Sequence, residues 1–532
     1  MVPLQTDKTY LLNWWFMKAI YITCCADPWS KVVTKLQEDY HVDPVYWLGY
    51  ADDGSDEIVP MCFPDTIYHS YFDAWKCLFP KQIADMASTM SIDTDFLRKY
   101  ASEELIAIKM MDRMDLDRRS FNFMERQRHF RNYVRHWMAA IELLKPDCVI
   151  SPVMPHRVFD YTLYLLCQWH NIPYVFFDHT PLSNRFIAMD NVMNIGDLFQ
   201  KEYQSFIKEE HPEAFVSQDI KDKIAKLRGD YKSAEPEYMK KQAVANKQSA
   251  SYLGKFSRLV SKVINKGDYY WGKKGVFRVG LDNYYKRADH RIEDGKYPFW
   301  KFARERLQAQ KYMKRLRGYY ESKTSDIPEN EKFVIYFMHY QPEATTCPAA
   351  NIYVDQQLCI DTLLRNLPSD YKVYVKEHPS QFAARMEGNT SRMSMLYDDL
   401  AKNKRVRLVS LTKDSFSLIE KASAVATGTG TVGFEAMVRK KPVIIFGFSW
   451  YENYDKGVLR IIDGASASKI NSFIENYSYD EHALMAYLAA VDKSTKKAYY
   501  YQTVGKDTLN IREDECVENI IDSLNSKFHF CN

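Results

Sequence analysis

Two doubly wound α/β units facing each other across a cleft, with a helical insertion between them, are what this sequence predicts. Short β-rich runs alternate with helical stretches from residue 17 to about 200. The same alternation restarts at Phe333. Between the two, strand patterns vanish and lysine, arginine and tyrosine crowd together. A strand, a helix and the next strand in this rhythm indicate a parallel sheet covered by helices. The 532 residues also suit several domains at roughly 100–200 residues each. The division read from the pattern is 1–200, 201–330, 331–480 and 481–532.

In the first unit, "MKAIYITCC" from Met17 is the expected first strand, after a short extension. "SKVVTKLQEDY" reads as a helix and "DPVYWLGY" as a strand. The charged, periodic stretch 90–145 reads as helical. "PDCVISPV", the apolar helix "YTLYLLCQWHN" and "IPYVFFD" follow. The middle stretch carries "YYKRADHR" and "KYMKRLRGYY". In the second unit, "FVIYFMHY", "KVYVKEHP", "VRLVS", "AVAT" and "PVIIFG" read as strands. "VDQQLCIDTLLRNL", "SFSLIEKAS" and "VGFEAMVRK" read as helices between them. Residues 481–532 read as helices able to pack back on the first unit.

Composition is ordinary for a soluble globular chain, at 46% hydrophobic and 27% charged. A net charge of only +3 argues against nucleic-acid binding by the whole molecule. Ten cysteines are scattered without a C-x-x-C pair, so neither a zinc ribbon nor a redox motif is supported. Free thiols in a reducing cytosol are expected. No apolar stretch approaches the ~18–20 residues that span a bilayer, and the N-terminus is a poor signal peptide. A cytoplasmic location follows as the expectation. The basic, tyrosine-rich middle is read as solvated helix faces, or as a contact for a glycan or an anionic membrane surface at the inner face of the membrane.

In open α/β sheets, ligands sit beyond the carboxyl ends of the strands, so candidates are sought there. "VATGTGTVGFEAMVRKKPVIIFG" ends a strand, turns, and opens a helix. Glycines let backbone approach a ligand, and a helix N-terminus offers unpaired N–H groups to an anion. Thr427, Gly428, Thr429, Gly430 and Thr431 could cradle a phosphate, with Glu435 accepting from ribose hydroxyls; a tight capped turn is the alternative. No G-K-[S/T] follows, which argues against a kinase or ATPase. "YVKEHPS" places Lys376, Glu377, His378 and Pro379 at another strand end, suited to a phosphate. "MHYQPEATTCP" places His339, Gln341 and Glu343 at a third; Glu343 could be base, nucleophile or sugar-hydroxyl acceptor. In the first unit the strand ends carry Asp52 and Asp53, His156 and Asp160, and Asp178, His179 and Arg185. A carboxylate there could be a general base toward an acceptor hydroxyl.

"HYQPEATTCP", "DQQLCIDTL", "VYVKEHPSQ", "ATGTGTVGFEA", "KKPVIIFG" and "WYENYDKGV", in this order, resemble bacterial capsular polysaccharide biosynthesis proteins over about residues 330 to 460. These are GT-B-like glycosyltransferases, with two Rossmann-like domains, related to the capsule and lipopolysaccharide Kdo transferases. The resemblance implies a C-terminal unit that binds a nucleotide-sugar donor, and an N-terminal unit that receives a polysaccharide or glycolipid acceptor. His378 and Pro379 would contact the nucleotide, the Thr/Gly loop its phosphate, and Glu343 would be the leading catalytic carboxylate. Where a further acid is expected after Glu343, Ala344 and Thr345 stand instead. Asp52-Asp53-Gly54 is similar to the short acidic motif of bacterial sialyltransferases, which also use a His-Pro pair, and implies a base at Asp52 or Asp53. A CMP-linked acidic sugar such as Kdo is the implied donor, with no metal cofactor. The alternatives are a teichoic-acid-type polyol-phosphate transferase using a CDP-linked donor, a sugar-nucleotide 2-epimerase, and a non-catalytic polysaccharide-assembly partner.

Overall fold

The computed structural model describes residues 16–25, 27–50, 54–115, 121–182, 185–229, 269–271, 277–279, 299–383, 388–501 and 511–530. The first sheet contains β1 (Met17–Ile22), β2 (Val42–Gly49), β3 (Ile67–Ser70), β4 (Cys148–Ser151), β5 (Tyr174–His179) and β6 (Arg185–Met189). A small antiparallel pair follows, β7 (Tyr269–Trp271) with β8 (Phe277–Val279). The second sheet contains β9 (Phe333–Phe337), β10 (Lys372–Lys376), β11 (Val406–Val409), β12 (Ala424–Thr427), β13 (Val443–Ile445) and β14 (Val458–Arg460). The last strand, β15 (Lys496–Lys497), returns to the edge of the first sheet.

The second sheet is parallel throughout, in the order β11-β10-β9-β12-β13-β14. Counted from its own first strand, this is the doubly wound order 3-2-1-4-5-6, whose direction reverses between β9 and β12. The first sheet runs β15-β6-β5-β4-β1-β2-β3. It repeats that order, and is parallel from β3 to β5. Two Rossmann-like units are therefore present.

Burial on both faces explains why these strands read as nearly unbroken apolar runs. Alternate residues of β9 go to opposite faces: Phe333, Ile335 and Phe337 join one core, Val334 and Tyr336 the other. In β1, Ile20 and Ile22 face the core shared by both units, while Ala19 and Tyr21 face the outer layer.

Three features depart from the expected pattern. The first sheet is not wholly parallel: β6 runs antiparallel to β5, with Phe176 opposite Met189 and His179 opposite Phe186. The middle stretch is not wholly helical, because β7 and β8 lie in it; "YYKRADHR" falls outside the described residues. Nor is "KYMKRLRGYY" merely a solvated face. It belongs to the helix Phe299–Ser322, whose Met313, Leu316 and Tyr320 are buried against the second sheet. Tyr312 donates to the Arg392 carbonyl at 2.8 Å.

The C-terminal segment folds onto the first unit. Helix Glu481–Ser494 packs against helix Gln200–Phe206, and helix Glu513–Phe528 against helix Trp29–Tyr40. Cys516, Ile520, Ile521 and Leu524 complete the outer core there. No described helix is long and apolar enough to cross a membrane.

Candidate functional site

A cavity of about 340 Å³ lies at the carboxyl ends of β9, β10 and β12, at the reversal point of the second sheet. Glu343, Lys376, Glu377, His378 and Pro379 line it, as do Thr427, Thr429, Gly430, Thr431 and Glu435. His179, at the end of β5, reaches it from the first unit.

The Thr/Gly loop is organised around His339. The Thr429 amide donates to His339 Nε2 at 2.9 Å, and the Thr427 hydroxyl lies 3.1 Å from the same atom. Burial pushes this imidazole down to about 3, so it is neutral and accepts at Nε2. The spacing Gly428-x-Gly430-x-x-Gly433 between strand and helix is that of a dinucleotide-binding turn. Here protein fills much of the room these glycines leave. A Cβ on Gly428 would stand 3.0 Å from the His339 ring, one on Gly430 would stand 3.2 Å from it, and one on Gly433 would collide with the Tyr451 hydroxyl. The threonines are partly engaged too: Thr427 Oγ1 donates to the Phe337 carbonyl at 3.3 Å, and Thr429 Oγ1 to the Thr345 carbonyl at 2.6 Å. What the loop leaves available is the start of helix Thr431–Val438. Its N-cap, Gly430, supplies no side-chain cap, and Thr431 is exposed.

At the end of β10, neighbours take opposite tasks. Glu377 is buried and fully engaged. It accepts from Arg392 Nε at 2.8 Å, from the Tyr397 hydroxyl at 2.8 Å and from the His378 amide at 2.9 Å. His378 Nδ1 accepts from the Ser380 amide at 3.2 Å, which leaves the proton on Nε2. Burial pushes His378 down to about 4. Lys376 is 5% exposed, and its ammonium has one weak contact, to the Leu411 carbonyl at 3.5 Å. Burial pushes it down to about 8, against the pull of Asp414 and Glu321.

Gln341 departs from the expectation that it contacts the donor. It does not line this cavity. Its Nε2 donates to the Val354 carbonyl at 2.7 Å, its Oε1 accepts from Arg392, and its amide donates to Gln381 Oε1 at 2.9 Å. Arg392 also donates to the His339 carbonyl at 2.8 Å. Gln341 and Glu377 thus hold the loops after β9 and β10 together through Arg392. The sequence reading missed Arg392, which stands in a polar loop with no pattern to single it out.

Two carboxyls remain at the cavity. Glu343 is open to water along the cleft and accepts from Thr345 Oγ1 at 3.0 Å. Desolvation between the cleft walls raises its carboxyl above the ordinary value, with the Thr345 hydrogen bond and then Arg113 opposing. Burial raises Glu435 to about 7, with Lys223 and Arg439 opposing.

The first-unit candidates scatter. Asp52 and Asp53 lie outside the described residues. Asp160 is 1% exposed and caps helix Val158–His170 by accepting from the Arg157 amide at 2.7 Å. It does not line the cavity, because its place in the helix's first turn carries it into the core. His156 Nδ1 lies 2.6 Å from the Met154 carbonyl. Arg185 is buried between Asp219 and Asp492. Among the described residues of this set, only His179 lines the cavity.

Among solved structures, the chain is similar to the β-Kdo 2,7 transferase KpsC of Thermosulfurimonas dismutans, at 14% identity over 40% of this chain and 61% of that one, with a TM-score of 0.23. It thus spans less than two thirds of that protein. It is similar to the UDP-GlcNAc 2-epimerase of Methanocaldococcus jannaschii, at 11% identity over 96% of this chain and 100% of that one, with a TM-score of 0.23. It is also similar to the wall teichoic acid polymerase TagF, at 16% identity over 45% and 52% of the two chains, with a TM-score of 0.18. No curated protein matches the chain. The segment that builds β9 to β13 and the loops of the cavity does match a family model: residues 276–458 carry the signature of the capsule polysaccharide biosynthesis protein family.

Proposed function

We propose that the chain is a GT-B-type glycosyltransferase that moves a sugar from a nucleotide-sugar donor to a growing bacterial surface polysaccharide, with a CMP-linked acidic sugar such as Kdo as the favoured donor. One observation carries this reading. A buried lysine with a single weak contact, a histidine Nε2–H and an uncapped helix start converge on one cavity at the reversal point of a doubly wound sheet. Those are the groups an anionic phosphate seeks. A single buried ammonium suits the single charge of a CMP-linked phosphodiester. Glu435 and Glu343 beside it suit ribose and sugar hydroxyls. The family match over residues 276–458 supports the polysaccharide as the product. Any peripheral contact with the inner membrane face would rest on the basic middle, most of which lies outside the described residues.

The test is thermal stabilisation by CMP, CDP, UDP, GDP and their sugars. A donor product at ~100 times its dissociation constant contributes about 2.7 kcal/mol. A selective shift with CMP, lost in His378→Ala while the fold melts normally, is the expected result. A shift with UDP alone keeps the transferase and discards the acidic-sugar donor. Turnover of donor without an acceptor or hydrolysis favours the epimerase. No shift with any nucleotide overturns the proposal.

A further inference from the structure

We propose that His179 is the catalytic base of the N-terminal unit, taking the proton from the acceptor hydroxyl. This rests on the glycosyltransferase reading above.

Most of the cavity is built by loops of the second sheet, and His179 enters it from the end of β5, across the cleft. The side of the cavity opposite the nucleotide loops is where an acceptor must present its hydroxyl. The ring is exposed, and among the described residues no hydrogen bond of the protein engages either ring nitrogen. A neutral imidazole in that position has one nitrogen free to accept a proton.

The hairpin that carries His179 is held far more firmly than a solvated turn requires. His179 pairs with Phe186 across the β5–β6 ladder, and the Thr180 amide donates to the Arg185 carbonyl at 2.7 Å. Phe177, two residues earlier, stacks on Trp29 with ring centroids 5.9 Å apart. Arg185 is then clamped by two segments distant in sequence. It donates to Asp492 Oδ1 at 2.6 Å, to Asp219 Oδ2 at 2.7 Å and to Ser217 Oγ at 3.0 Å. Asp492 belongs to helix Glu481–Ser494, so the C-terminal return fixes the aim of this hairpin.

The chemistry balances without a further reactant. The acceptor oxygen forms a bond to the donor's anomeric carbon and gives its proton to the imidazole. The bond from that carbon to the phosphate oxygen breaks, and the oxygen keeps the electron pair. The nucleotide leaves against Lys376 and His378, and the imidazolium returns its proton to water. The titratable groups around or next to this site are Asp178, His339, Glu343, Lys376, Glu377, His378 and Glu435.

The experiment compares the full-length protein with His179→Ala and His179→Gln in transfer from a nucleotide sugar to an oligosaccharide acceptor. Melting temperature and nucleotide-induced stabilisation are measured alongside. The expected result is a kcat lower by about 10²–10⁴ in both variants, with the melting temperature and the nucleotide shift retained. The acid limb of the wild-type pH–rate profile disappears in the variants, and added imidazole restores part of the rate to His179→Ala. A variant kcat within about threefold of wild type, an unchanged acid limb, or a loss of rate that tracks a lost nucleotide shift overturns the assignment while leaving the transferase standing. A wild-type protein with neither transfer nor nucleotide stabilisation overturns the transferase reading itself.

Discussion

The Arg392 guanidinium and the Glu377 carboxylate form an ion pair at 2.8 Å, their side chains 2% and 0% exposed. Through it the loops after β9 and β10 become one rigid wall, since Arg392 also holds the His339 carbonyl and Gln341. Removing one partner of a buried pair leaves an uncompensated charge, at a cost of about 3–5 kcal/mol. Arg392→Ala or Glu377→Ala should therefore lower stability by that order in denaturant unfolding. Nucleotide stabilisation should fall as well. A loss below about 1 kcal/mol would show that the loops hold without the pair.

Lys376 links affinity to pH. Its ammonium titrates near 8 because burial disfavours the charge. It is charged below that pH and neutral above it, so affinity for an anionic nucleotide should weaken as pH rises from about 7 to 9.5. Lys376→Met should weaken nucleotide binding roughly 10- to 100-fold at pH 7, by loss of a charge-assisted hydrogen bond worth about 1.5–3 kcal/mol. It should also flatten the pH dependence. Titration calorimetry across that range decides it; the same slope in wild type and Lys376→Met refutes the lysine's role.

Gly447 shows which small residues serve the scaffold. A Cβ there would stand 2.5 Å from the Ala349 carbonyl and 2.6 Å from Thr429 Cγ2. Neither backbone oxygen nor a packed methyl can retreat cheaply, so Gly447→Ala should cost about 1–3 kcal/mol of stability. Gly464, where a Cβ meets nothing within 4 Å, is the control: Gly464→Ala should leave stability unchanged or slightly higher. Equal melting temperatures for the two variants would contradict this packing.

Asp160 sets a pH dependence of stability. Burial raises its carboxyl to about 7, from an ordinary value of 3.8. The folded protein therefore holds this proton where the unfolded chain has released it. The stabilisation is full below about pH 4 and is lost as pH rises toward 7, an effect of up to roughly 4 kcal/mol. Asp160→Asn keeps an oxygen to cap the Arg157 amide and removes the titration. Relative to wild type, the variant should gain stability steadily from pH 4 to pH 8. Parallel stability curves for the two proteins would place the titration elsewhere.

Much of this architecture is written in the order of residues. The apolar runs of β1, β9, β12 and β13 announce strands buried on both faces, and the helical stretches between them announce parallel crossovers. Strand ends then mark where polar residues meet, which is why Glu343, Lys376, His378 and Glu435 were legible as one group. Other short strands were not: β3, β14 and β15, of two to four residues, lack the unbroken apolar run that marks β12 and β13. The division of labour among the polar residues was not legible either. Glu377 and His378 are adjacent in sequence, yet one is sealed against Arg392 and the other opens to the cavity. Gly428 reads as room for a ligand until the His339 ring is seen 3.0 Å from where its Cβ would stand. His179 meets the second unit's loops only because the two sheets face each other. Periodicity records which face of an element is apolar. Which polar groups are buried against each other is settled by packing between segments tens to hundreds of residues apart, and that information is carried by the folded chain.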